Sequence, residues 1–144
     1  MFIEAINKAV TKIERANQPF EIKCLVSKQE ENILWYLALY SNWLFTKYKN
    51  QNERYEMILK ELIPVLDQGV LSQFGGVIIF GTNNPMKDYL MDNKIALQSH
   101  PIGTWIHTPN VDYPWVMPLP TVVRKKTPLS KSNTLSRFAK VSKK

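Results

Sequence analysis

Apolar positions along the chain repeat with two periods. Over Met1 to Gln18, Phe2, Ile6, Ala9, Val10 and Ile13 recur every three or four residues, which predicts a helix with one buried face. Asn17-Gln18-Pro19 ends it. From Phe20 to Val26 the period falls to two: Phe20, Ile22, Cys24 and Val26 alternate with Glu21, Lys23 and Leu25, the pattern of a strand. Ser27 followed three residues later by Glu30 is a capping-box signature. It predicts a helix to about Tyr40, through Ile33, Leu34, Leu37 and Ala38. Ser41 to Asn52 mixes aromatic residues with asparagines and is expected to be irregular, with a short strand near Trp43. Glu53 to Leu66 returns to helical spacing through Tyr55, Ile58, Leu59, Leu62 and Ile63, and Pro64 kinks or finishes it. Asp67 to Phe74 is a link.

The stretch from Gly75 to Pro120 organises the rest. Val77-Ile78-Ile79-Phe80 is an unbroken apolar run between glycines, the pattern of a strand covered on both faces. Gly81 to Asn84 is a turn. Asn84 then caps a helix that starts at Pro85, where the missing proline N–H costs nothing. Met86, Tyr89 and Leu90 share its face, and Asn93 or Lys94 ends it. Ile102 to Ile106 reads as a second strand, so the order is βαβ with a right-handed crossover. Four prolines at 109, 114, 118 and 120 predict a packed, extended loop lying outside any sheet interior.

These elements predict an α/β fold: a small parallel β-sheet with flanking helices, a reduced three-layer Rossmann- or flavodoxin-like domain over 1–123. A second region, 124–144, is an extended basic C-terminal tail, expected to be disordered when free because it has too few apolar residues to offset its ordering entropy. No run is long and apolar enough to span a membrane. Met1 to Gln18 has the cations and spacing of an import peptide. It also has Glu4 and Glu14 and little serine, so it reads as a structural helix.

Charge sharpens this division. The chain has 19 Lys or Arg, 12 Asp or Glu and a net charge of +7. Eight of those cations lie in the tail: Arg124, Lys125, Lys126, Lys131, Arg137, Lys140, Lys143 and Lys144, with no acid among them. Residues 1–123 therefore carry a net of −1. A single-sign tail on a neutral body points to a polyanion, nucleic acid first and an anionic membrane second. If all eight cations met phosphates on a single strand, the log–log salt slope of binding would be about −6. Such contacts fix position without reading sequence. Abundant Lys, Asn, Ile and Tyr also fit an AT-rich coding genome, as in an organelle, a virus or an AT-rich microbe.

The remaining chemistry is sparse. Cys24 is the only cysteine and lies in an apolar run, so it reads as a packed thiol. His100 and His107 lack the partners for a metal site and read as structural. Gly81-Thr82-Asn83-Asn84-Pro85 has one glycine in the turn and a proline where an anion would need an N–H, so it reads as a plain turn. Asp88, Asp92 and Asp112 read as a helix-start charge, a solvated face and a loop cap. Ser99 has no visible base. Nothing here converges on catalysis, so no enzyme and no cofactor is expected. Trp35 and Trp105 are expected inside, with Trp43 and Trp115 partly exposed and available for contacts.

The feature order resembles the ribosomal protein S-two family of the small subunit, in a shortened mitochondrial-type form. Asn7-Lys8-Ala9 and Ile13 stand where that family's first helix would be. Ile22 to Gln29 resembles its first strand and turn, with Ser27-Lys28-Gln29 at the turn. Trp43-Leu44 and Thr46 resemble its tryptophan segment, and Leu59-Lys60-Glu61-Leu62 its long helix. Val77 to Phe80 and His100 to Ile106 resemble later strands. Thr108-Pro109-Asn110 followed by Asp112-Tyr113-Pro114 is the nearest motif match. His107 stands where the family has aspartate, Pro109 splits threonine from asparagine, and the helical hairpin is missing. The resemblance implies a non-catalytic constituent of the mitochondrial small ribosomal subunit, binding small-subunit ribosomal RNA and neighbouring ribosomal proteins in translation. The alternative is a viral or microbial α/β nucleic-acid-binding module unrelated to the ribosome. A small enzyme ranks last.

Overall fold

The structure is a computed structural model that describes residues 2–28 and 34–120; for Phe2 it describes the backbone. The first helix, α1 (Phe2–Ala16), forms where the spacing predicts it. Ile3, Ile6, Ala9, Val10 and Ile13 are all buried along its inner face. The strand β1 (Ile22–Ser27) follows.

The next element differs from the expectation. Residues Trp35–Tyr40 form a strand, β2, antiparallel to β1 with Leu25 opposite Leu37. Ser27 is the last residue of β1, and its hydroxyl donates to the Leu34 carbonyl at 3.1 Å, just before β2. Every side chain from Trp35 to Tyr40 is aromatic or aliphatic because both faces of this strand are covered. Such a run has no period to separate helix from strand. Its aromatic content is the β signal.

Three helices lead to the next strand, the first two being α2 (Asn42–Lys47), where a short strand was expected, and α3 (Gln51–Leu62). The Asn50 side chain caps α3 by accepting from the Glu53 N–H at 3.2 Å. Pro64 finishes it as a 3-10 turn, Ile63–Val65. A short helix, α4 (Gln68–Leu71), occupies the expected link and is capped by Asp67. The strand β3 (Phe74–Ile79) lies parallel to β2. The βαβ unit therefore spans Trp35 to Ile79, one unit earlier in the chain than the spacing predicts.

Beyond β3, α5 (Pro85–Asp92) begins with the expected cap: Asn84 Oδ1 accepts from the N–H of Met86 at 2.8 Å and of Lys87 at 3.2 Å. A short α6 (Lys94–Gln98) continues the layer. The expected strand at 102–106 shrinks to β4 (Ile106–His107), because Pro101 to Thr104 closes a turn with Gly103 at φ 88°. The proline-rich stretch contains β5 (Trp115–Pro118), which sits inside the sheet between β1 and β4. The prolines at 114 and 118 bracket the strand, so its central residues keep their N–H groups.

The sheet order is β3-β2-β1-β5-β4. One pair is parallel and the other three are antiparallel. The expected parallel sheet is thus a mixed one. Val77 and Ile106, expected to belong to neighbouring strands, lie at opposite edges. The three layers do form. Leu25, Leu37 and Leu39 pack under α1 and α3, while Ile22, Cys24, Val26 and Ala38 pack under α5 and α6. Full burial of a leucine is worth about 1.5–3 kcal/mol, so Leu25, Leu37 and Leu39, all 0% exposed, anchor the first face. Among the described residues no helix is long and apolar enough to cross a membrane.

Candidate nucleic-acid interface

All eight cations assigned to polyanion binding, from Arg124 to Lys144, lie outside the described residues. The point from which that segment departs is well defined. Leu119 is 1% exposed, packs with the α1/α3 core and donates its N–H to the Lys23 carbonyl at 3.1 Å. The described residues end at Pro120, two positions past β5, a strand held between β1 and β4.

Beside this root lies a cleft of about 790 Å³. It runs between the end of α1, the start of β1, the end of β5 and α6. Arg15 and Lys94 line it with Lys23, Leu97 and Pro118. Lys23 pairs with Glu14 at 2.9 Å. Cys24 forms part of the wall, and burial pushes its thiol up to about 12. A thiol that holds its proton through neutral pH is a poor nucleophile. The packed-thiol expectation therefore matches the site.

A second cationic feature was read in the sequence only as a likeness to an import peptide, and not as one face of a helix. Lys8, Lys12 and Arg15 project from the exposed side of α1 at four- and three-residue steps. They face Lys60 across an open groove of about 880 Å³. Glu61 offsets part of this charge by pairing with Lys12 at 3.0 Å. The signal was present: the same spacing that marks the buried face marks its opposite.

At the other end of the sheet, aromatic rings gather around one lysine. The Tyr36 and Tyr113 rings meet edge to face at 5.3 Å, and Lys28 Nζ lies 5.7 Å from the Tyr113 centroid. His107 and Trp115 meet at 4.8 Å. These rings are partly exposed, as base stacking requires. They also hold the loop before β5 against the sheet. The Thr108 hydroxyl pins that loop further by donating to the Pro114 carbonyl at 2.9 Å.

The tryptophans divide differently from the expectation. Trp35 is buried as expected, but Trp43 is also buried, at 6% exposure, and its indole donates to the Pro19 carbonyl at 3.2 Å. Trp105 is only partly buried, while Trp115 is partly exposed as expected. Trp43 lies inside because α2 turns it under Phe20, at a ring distance of 5.1 Å. Among the described residues no three His, Cys, Asp or Glu side chains come together as a metal site.

Comparison with protein-family models, with curated proteins and with solved structures gave no match to this chain.

Proposed function

We propose that this protein is a non-catalytic RNA-binding constituent of a ribonucleoprotein particle, and that the particle is the mitochondrial small ribosomal subunit. The observation that carries the RNA-binding part is the charge division: eight cations without an acid follow an almost neutral body, whose last buried residue, Leu119, lies just past β5. Arg124, Lys125, Lys126, Lys131, Arg137, Lys140, Lys143 and Lys144 neutralise phosphate, while the α/β body supplies shape and contacts to neighbouring proteins. Lys8, Lys12 and Arg15 extend the basic surface onto the body.

The ribosomal part of the proposal rests on the order of motifs. Of the reduced Rossmann-like arrangement that accompanies it, the helices on both faces of the sheet and the single parallel β2–β3 pair are the supporting features. The antiparallel pairings of β1 with β2 and β5 favour a second reading, a viral or microbial nucleic-acid-binding module outside the ribosome. Cross-linking in cells, followed by sequencing of the bound RNA, separates the two. The first predicts mainly small-subunit ribosomal RNA and co-sedimentation with that subunit. Protein confined to the top of the gradient, bound to other RNA, overturns it.

A further inference from the structure

We propose that the outer edge of β3 pairs with β3 of a second copy of this chain, giving a two-fold symmetric dimer with one continuous sheet. The two edges of the sheet are built differently. β4 is two residues long and lies between Pro101 and Pro109, which blunts it as a template for pairing. β3 is six residues long, contains no proline, and lies in a stretch without a charged residue from Gln68 to Met86. The charges that usually protect an edge are missing there. Its one irregularity, opposite Trp35 and Tyr36, falls near the start of the strand and leaves Val77 to Ile79 regular.

The hydrogen-bond directions fix the register. Phe80 donates its N–H to Leu39, so Phe80 and Ile78 face β2, and the N–H and C=O groups of Val77 and Ile79 point outward. An antiparallel copy with the two-fold axis at Ile78 sets Val77 opposite the partner's Ile79. Each such pair exchanges two hydrogen bonds, and the symmetry repeats it. Val77, Ile78 and Ile79 are only partly buried although they are aliphatic and project to both faces of the sheet. A further strand would cover all three.

The self-complementary register about Ile78 singles out a second copy as the occupant, and charge does not oppose it. A neutral edge meets its own image without repulsion, and the bodies carry almost no net charge. The basic segments leave from β5, three strands away from β3. In the dimer the two β5 strands are seven inter-strand steps apart, about 34 Å, several times the Debye length of about 8 Å in physiological salt. The roots of the two basic segments therefore lie on opposite flanks of the sheet, too far apart for the charges at one root to oppose those at the other.

Sedimentation equilibrium of the full chain without RNA tests this independently of what the arm binds. The expected mass is twice 16.7 kDa at high concentration. Hydrogen exchange on the unaltered protein supplies a second reading that needs no variant. The amides of Val77 and Ile79 should slow with rising protein concentration, while exposed loop amides do not. Val77→Lys should return the monomer mass with an unchanged far-ultraviolet spectrum. A monomer at every concentration, or concentration-independent exchange at Val77 and Ile79, overturns the proposal.

Discussion

Lys23 Nζ lies 2.9 Å from Glu14 Oε1, and both side chains are almost withdrawn from water, at 8% and 11% exposure. The other Glu14 oxygen accepts the Phe20 N–H at 2.8 Å. One carboxylate thus joins the end of α1 to Lys23 in β1 and satisfies the backbone donor of Phe20, just before that strand. Removing Glu14 leaves Lys23 unpaired in the cleft wall and the Phe20 N–H without its acceptor. Glu14→Ala should therefore lower the unfolding free energy by about 1–3 kcal/mol, and Lys23→Met by less, since the Phe20 bond survives. Urea titration of the two variants and their combination checks this. The double variant should be more stable than the sum of the separate losses predicts.

Adjacent glycines in β3 should respond differently to alanine. A Cβ on Gly75 would lie 2.6 Å from the Tyr36 ring, whereas one on Gly76 meets nothing. Gly76 instead has φ 138°, a conformation that side chains resist. Gly76→Ala should cost about 1–3 kcal/mol through backbone strain. Gly75→Ala should push the ring off its glycine and open its contact with Tyr113. Proton chemical shifts of the two tyrosine rings report that movement, and they should stay fixed in Gly76→Ala.

Burial raises the Cys24 thiol from 9.0 to about 12. The unfolded chain loses that proton near pH 9, while the folded chain keeps it. Stability from this group is complete below pH 9 and falls as pH rises from there towards 12, at about 1.4 kcal/mol per pH unit. Cys24→Ala should flatten that alkaline slope, as read from denaturation midpoints against pH. Iodoacetamide at pH 8 should label the wild-type thiol only after unfolding.

Truncation after Val123 removes all eight clustered cations and leaves a body of net charge −1. RNA affinity at moderate salt should fall by orders of magnitude. The salt slope of about −6 expected for the full chain on single strands should fall to that of the few cations on α1. Filter binding across a salt series measures both quantities. An unchanged slope would assign the grip to the folded body.

Elements whose evidence is local were readable from the sequence. The face of α1, the alternation of β1, and the Asn84-Pro85 start of α5 each carry their own signal within a few residues. What escaped depends on distant partners. Trp35 to Tyr40 alternates nothing because it is covered on both faces, and the Ser27 hydroxyl turned to a carbonyl seven residues away. Trp115 to Pro118 looked too proline-rich for a sheet, yet only the neighbouring β1 and β4 decide where a strand is admitted. The chemistry of the candidate interface was half legible. The basic run stands out by composition, while Lys8, Lys12 and Arg15 were hidden in a helix read for its apolar side.

The burial of Leu119 also has a mechanical side. The segment after Pro120 is rooted in a strand flanked by two others, with bonds to Lys23 and its neighbours on one side. A pull along that strand loads its rungs together in shear, so they must yield as a group. Force applied beyond Pro120 therefore reaches the fold through a paired strand and not through a loose end.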